Sequence, residues 1–544
     1  MRIIVIGAVA AGTSAAAKAR RNSENAEIVI YEKGEYVSYS GCGMAYHIGG
    51  EIKDGATLHP RDDKYFKEVY NVDIKIKHEV SKINPSNQSV EVKNLSTGET
   101  FIDNYDKLII ATGARAIKPP IEGVDLEHVF LLRNINNMYA ITNYLNKNKV
   151  KNAVVVGGGF IGLEVSEALR FKGINVSLVE FKPQVATSID ADIAKIVELE
   201  LTNNGVDVHK GVAAQSITNK KVQLSNGKEL LADIVIIAVG VRPNSEIAQE
   251  AGVKLGNYRG ILVNEKLETN IPNIYAAGDV SEQYHNVIED YVYIPLGSTA
   301  NRQGRAAGDQ ATGGEITFGG IIGTSIYRIF SLTVAQTGIN EEQAKNAGFE
   351  PVVLYNIKAD RPEYFGGKDM YVKAVADQKS KRLLGAQIVG PNAVDRTVNT
   401  FAAVIHLKGT VDDLVDLDLA YAPPYANPRD IVNYTGMMYD NVIRREKKMM
   451  RGKEVKKKIV NGEPLIVIDT RSASAFAASH VPGALNIPLS QLREKAASLP
   501  KHLPIVFYCN RGLDGYVGQT ILENLGFQHV YNIRGGYFGY LLDE

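Results

Sequence analysis

The chain has 544 residues, carries 61 basic and 61 acidic side chains, and is 45% hydrophobic. That length exceeds a single hydrophobic core and predicts three or four domains, while zero net charge excludes a whole-protein field favouring nucleic acid or an acidic membrane. Two cysteines, Cys42 and Cys509, far apart in sequence, exclude a disulfide framework and a clustered metal site, and fit a reducing cytoplasm.

The opening "MRIIVIGAVAAGTSAAAKARR" imitates a secretion signal but reads better as a strand, a turn and a helix that cleavage would destroy. No apolar run approaches the ~20 residues needed to cross a bilayer. Arg2–Gly7 is a buried parallel strand, Gly7–Gly12 a turn, and an alanine-rich helix follows to Arg21. A second strand ends at Glu32, a spacing that suits a carboxylate on a ribose hydroxyl and a pyrophosphate on the helix N-terminus. Val9 replaces the middle glycine of G-x-G-x-x-G and weakens the motif.

The same unit recurs in "NAVVVGGGFIGLEVSEALRFKGINVSLVEF", with Gly157, Gly159 and Gly162 before a helix and Glu180 ending the next strand. Glu180 should accept from a ribose 2′-hydroxyl and repel a 2′-phosphate, favouring NADH; Lys182 partly offsets that repulsion and leaves NADPH open. Three further segments carry Thr112 and Gly113, then Gly240, then Gly278 and Asp279, the last suited to a ribityl hydroxyl or the neighbourhood of flavin phosphates at a helix start. In this order the segments resemble the pyridine nucleotide-disulfide oxidoreductases over about residues 1–440, with an NAD domain inserted between two halves of an FAD domain. The resemblance implies cofactor contacts at Gly7, Ala8, Val9, Ala10, Ala11, Gly12, Glu32, Lys33, Val80, Ala111, Thr112, Gly113, Gly157, Gly159, Phe160, Ile161, Gly162, Glu180, Gly240, Gly278 and Asp279.

"SYSGCGMAYHIGG" holds Cys42 where that resemblance implies a site beside the flavin, with His47 where a second cysteine would stand. Glycines on both sides leave the sulfur accessible, and a helix N-terminus after it should lower the thiol pKa. Without a partner, Cys42 must be oxidised by its substrate, as a sulfenic acid from peroxide or as a persulfide or mixed disulfide from a sulfur compound. The flavin half alone leaves a peroxidase or oxidase and a coenzyme A disulfide reductase both open. His47 is more readily a structural imidazole than an acid–base group.

After Tyr439 the chain is basic and polar and reads as a linker leading into a helix. "LIVIDTRSASAFAASHVPGALNIPL" and "LPIVFYCNRGLDGYVGQTILENLGF" then place Asp469 and Arg471 after one strand and Cys509 after another, and resemble a rhodanese domain. Backbone N–H groups around Cys509 suit an anionic persulfide. Asp514 stands where many such loops carry a cation, which argues against thiosulfate unless Arg511 compensates.

The whole chain resembles the coenzyme A disulfide reductase–rhodanese fusions, also described as coenzyme A persulfide or polysulfide reductases. The fold class expected is α/β, with two Rossmann-like dinucleotide-binding domains, an α+β dimerisation domain and a C-terminal α/β rhodanese domain. The expected divisions are FAD 1–115, NAD 116–250, FAD 251–322, dimerisation 323–440, linker 441–454 and rhodanese 455–544. The resemblance implies FAD, NADH and coenzyme A as cofactors, a homodimer, and Tyr364 and Tyr421 reaching the partner's active site as proton donors. It maps the coenzyme A pocket to Ser14, Lys18, Arg21, Ser38, Gly41, Arg61, Asn301 and Arg429, with Gly41 and Asn301 standing where Asn and His are implied. The implied activity is NADH-dependent reduction of coenzyme A persulfide or polysulfide at Cys42, with Cys509 as sulfur carrier. Coenzyme A disulfide reduction, a single-cysteine peroxidase or oxidase, and a non-catalytic sensor or sulfur relay are the alternatives.

Overall fold

The computed structural model describes residues 1–543, which fall into two compact units: 1–183 with 202–321, and 184–201 with 322 onward. The apolar run Arg2–Ile6 lies between two parallel neighbours, Glu27–Glu32 and Lys107–Ile110. A strand flanked on both sides has both faces covered, which is why it reads as continuously hydrophobic. Asp73–Ile76 and Ile274–Ala276 complete this parallel sheet of five. The second dinucleotide motif builds an equivalent sheet in the same unit, centred on Asn152–Val156 between Asn175–Glu180 and Ile234–Ile237.

The helix Ala10–Asn22 packs on the helix Gly297–Ala311 at backbone distance. A methyl group on Gly304 would collide with the Ala11 carbonyl, and one on Gly308 with that of Ala15. The same approach seats Gly278 against Ala11, in the first turn of the first helix. The two segments of the first domain therefore meet at the turn Gly7–Gly12.

In the second unit, five antiparallel strands run in the order Ser325–Ile329, Leu332–Gly338, Leu383–Gly390, Asp369–Asp377 and Pro351–Ala359. A parallel five-stranded sheet follows, in which Ile505–Tyr508 lies between Ile466–Asp469 and Val530–Ile533. In the stretch 441–454, expected as a linker leading into a helix, Met449–Met450 pairs with Asn532 and Ile533 as the edge of that sheet, and a helix starts at Gly452. The helix Ala191–Asn203, expected with the NAD domain, begins within the second unit. Buried Lys373 explains why, since its ammonium is held by Asp190 and Asp192, each at 2.8 Å. A buried cation requires such partners.

Gly308→Val should destabilise the protein by about 1–3 kcal/mol, the scale of an overpacked core, and should release flavin on mild heating. A melting curve with simultaneous flavin fluorescence checks both, and an unchanged curve would contradict the close helix contact.

Candidate active site

Neither dinucleotide helix has a side-chain cap, so the first amides of Ala10–Asn22 and of Phe160–Phe171 are left to bind an anion. Glu32 accepts from the Ala8 N–H at 2.8 Å and the Gly34 N–H at 2.7 Å; Glu180 repeats this with Gly158 at 2.6 Å and Lys182 at 2.7 Å. Each carboxylate thus sits at the mouth of its own glycine turn. A methyl group on Gly157 or Gly162 would strike backbone, but one on Gly159 would meet nothing within 4 Å. Protein packing does not require glycine at 159, whereas close approach of a pyrophosphate does. Phe160 lies exposed and Ile161 half-buried beside it.

Gly7 abuts the Ala111 carbonyl. Thr112 and Asn244 exchange hydrogen bonds of 2.7 and 2.8 Å, which ties Gly113 to the strand that follows Gly240. The Asp279 carboxylate is held by Arg133 at 2.8 Å, a partner that sequence reasoning missed. Lys33 is exposed, and Val80 is buried in the core opposite Val92, which leaves only its backbone for a ligand.

Cys42 lies in a single tight turn, Gly41–Gly43, ahead of the short helix Met44–Gly49. Solvent reaches it, yet its thiol pKa is raised, first by burial and then by the carboxylates of Glu164 and Asp279, with Arg133 opposing. The expected lowering by a helix N-terminus is therefore corrected: a six-residue helix has a weak dipole, and two anions outweigh it. Glu164 reaches this site because its helix packs on the Cys42 helix, where Gly49 touches Ala168 and the Tyr46 hydroxyl donates to Glu164 at 3.3 Å. His47 is structural, its Nδ1 bonded to the Ile52 carbonyl at 2.8 Å.

Beside this site is a cavity of about 470 Å³ lined by Ser14, Arg21, Ser38, Arg61, Asn301 and Arg305, among others. Ser14 donates to Asn301 at 2.7 Å, and Arg61 rests on the Tyr65 ring. Lys18 does not line it. Its ammonium pairs with nearly buried Asp309 at 3.0 Å. Arg305, one helical turn after Asn301, lines the cavity as a cation that sequence reasoning missed; the i, i+4 spacing was the available signal. Gly41 is exposed in the cysteine turn.

Four predicted residues lie in the second unit. Tyr364 is 75% exposed and Tyr421 47% exposed, on separate loops. The Arg429 carbonyl accepts from Lys358 at 2.7 Å. Cys509 is only 6% exposed and ends the strand Ile505–Tyr508, where its Sγ accepts the Gly512 N–H at 3.1 Å. Beneath it, buried Arg471 is bonded to Asp469 and to the Ser479 carbonyl. Arg511 does not offset Asp514, because its guanidinium is paired with Asp369 at 2.7 Å.

The family model for pyridine nucleotide-disulphide oxidoreductases matches residues 1–304. The chain belongs to that family. The dimerisation domain of the same family matches 325–430, and a rhodanese-like domain matches 452–543. A coenzyme A disulfide reductase of Staphylococcus haemolyticus is 34% identical over 80% of this chain and 98% of its own. The reduced CoADR-RHD structure from Bacillus anthracis superposes with a TM-score of 0.97 at 36% identity, covering 99% of this chain and 98% of that one. A NAD-dependent persulfide reductase from A. fulgidus gives 0.93 at 34% identity, covering 99% and 100%. The family is flavin-dependent and uses FAD and NAD(P)H, and the two uncapped helix termini with their carboxylates fit those groups. No helix among the described residues is long and apolar enough to cross a membrane.

Glu164→Gln should move the thiol titration of Cys42 to lower pH, because a carboxylate disfavours a nearby thiolate and its removal lifts that penalty. The pH dependence of Cys42 alkylation in the holoenzyme measures this. A midpoint that stays or rises would contradict the carboxylate's role.

Proposed function

We propose that the protein is a cytoplasmic, homodimeric, NADH-dependent reductase of sulfane sulfur carried as coenzyme A persulfide or polysulfide. One observation carries the reading: a flavoprotein unit with a single accessible cysteine shares a chain with a rhodanese loop whose own cysteine accepts a backbone N–H. Peroxide chemistry at Cys42 has no use for that second cysteine. The cavity lined by Arg21, Arg61 and Arg305 suits the phosphates of coenzyme A, with Ser14 and Asn301 as polar neighbours. Glu180 favours NADH over its 2′-phosphorylated form.

The Cys42 thiolate attacks the outer sulfur of the bound persulfide. A new S–S bond forms to Cys42, the old one breaks, and coenzyme A leaves with that bond's electron pair. Tyr421, helped by Tyr364, supplies its proton from the partner subunit. FAD and NADH, when bound, supply the electron pair that returns the Cys42 persulfide to thiolate and hydrosulfide. Burial and the carboxylates of Glu164 and Asp279 raise the Cys42 thiol pKa, and Arg133 is the group that opposes them. Cys509 exchanges sulfane sulfur with donors outside this cavity.

Parallel assays of NADH oxidation with coenzyme A persulfide, coenzyme A disulfide and peroxide test the reading. The persulfide should turn over fastest; preference for the disulfide or peroxide would replace the proposal, and no turnover with any would favour a sensor or relay. Cys42→Ser should keep flavin reduction by NADH and lose persulfide turnover, and Tyr421→Phe should lower turnover about 10²-fold, as for a lost general acid. Persistence of most activity in the serine variant would remove Cys42 from the chemistry.

Thiosulfate should be a poor sulfur donor to Cys509, since Asp514 repels a dianion and Arg511 is paired away. Asp514→Arg should raise that transfer rate; a wild type already efficient with thiosulfate, or a variant without gain, would contradict charge selection by the loop.

A further inference from the structure

The cations at the Cys509 loop, Arg511 within it and Arg471 bonded to Asn510, are both paired with carboxylates, and Asp514 lies in the first turn of the following helix. The positive charge an anionic donor needs must come from elsewhere, and the dimerisation region offers it. Its edge strand Pro351–Ala359 is engaged on both faces. On one face, Tyr355 touches Gly535, Tyr371 of the neighbouring strand stacks on Phe538 at 4.8 Å, and Asp369 holds Arg511. Phe538 and Tyr537 in turn donate their N–H groups to the carbonyls of Asn510 and Cys509. On the other face, Asn356 bonds to Ile431 and Thr435 of the helix Ile431–Tyr439, and Asn441 beyond that helix accepts from Tyr516 at 2.9 Å. Lys358 projects to this second face, its ammonium 4.6 Å above the Tyr434 ring and bonded to the Arg429 carbonyl.

We propose that the dimerisation region completes the Cys509 site: the Tyr434 ring positions the Lys358 ammonium, which recognises a persulfide donor bearing phosphate groups. Ala359, next to Lys358 in the strand, pairs with Asp369, whose carboxylate holds Arg511 of the loop at 2.7 Å, and this register places the cluster beside the loop. An ammonium has three donors and Lys358 spends one on the Arg429 carbonyl, leaving N–H groups for a phosphate. Ring and cation are suited to each other, since a cation over a phenol face is held without being neutralised. In the step itself the Cys509 thiolate attacks the outer sulfur of the donor persulfide. One S–S bond forms as another breaks, and the donor departs as a thiolate with no net oxidation. Lys358 takes no part in bond making; it is a specificity residue, and Tyr434 a positioning residue.

This inference rests on Cys509 being a sulfur carrier, and the test separates the two. Persulfide on Cys509 is trapped by alkylation and quantified by mass spectrometry after exposure to coenzyme A persulfide or to N-acetylcysteamine persulfide, which has the same thiol end and no phosphate. Wild type should prefer the coenzyme A donor. Lys358→Met should lose about tenfold in kcat/KM for that donor, the scale of a charge-assisted hydrogen bond, through KM rather than kcat. The same variant should leave the phosphate-free donor unchanged, and Lys358→Arg should restore the preference. Tyr434→Phe should behave as wild type and Tyr434→Leu as Lys358→Met, because the ring and not the hydroxyl seats the cation. Equal losses for both donors, or none, would overturn the inference while leaving the carrier reading intact. A wild-type Cys509 that neither donor labels would overturn both.

Discussion

Two helices in the first unit meet at backbone distance, and the dinucleotide site depends on it. Gly304 and Gly308 have no side chain to keep the Gly297–Ala311 helix from Ala11 and Ala15, so the chain's return to the first domain ends against the phosphate turn. Gly278 and Asp279 are delivered to the start of the first helix, and Asn301 and Arg305 to the cavity opened by Ser14 and Arg21. Small residues let the helices interlock, and they concentrate polar side chains along the rim of the contact. The nucleotide turn and the adjoining cavity are consequences of one packing decision.

The backbone-determined parts of this arrangement were legible in sequence. Glycine spacing before each helix, the buried strands and the terminal carboxylates Glu32 and Glu180 follow local rules that few tertiary contacts override. The cysteine loop of the tail was equally clear, since strand, turn and helix are contiguous there. What escaped were side chains whose partners arrive from distant segments. Lys18 and Arg21 look alike on a helix surface, but only Lys18 meets Asp309 from the opposing helix, which holds its ammonium. Glu164 belongs to a dinucleotide helix by every local sign, yet it acts on Cys42 because Gly49 lets two helices touch. In the basic stretch after Tyr439 only the edge strand escaped, because two residues leave almost no pattern.

The two cysteines are handled by opposite physical means. Cys42 lies open to solvent in a cleft edged by carboxylates, so its anion is disfavoured until a cation or substrate shifts the balance. Cys509 lies buried, next to an Asn510 that accepts from the Asp469-paired Arg471, and its sulfur receives a backbone N–H. An oriented amide stabilises an anion without a mobile counter-charge, so the loop accepts sulfur without drawing every anion to it. Exposure suits a centre that must meet both an electron donor and a substrate; enclosure suits one that holds a reactive sulfur between encounters.

The Lys373 cluster bears on how the chain reaches its native state. Asp190 and Asp192 are synthesised long before Lys373, and the sheet that buries all three closes later still. The segment 184–201 therefore meets the lysine it pairs with only once the later strands have been made. The second unit cannot be finished from its own contiguous sequence, because burying its lysine without those aspartates would cost about 3–5 kcal/mol. The core of the second unit is thus assembled from two segments distant in sequence, 184–201 and 322 onward, which meet through charge.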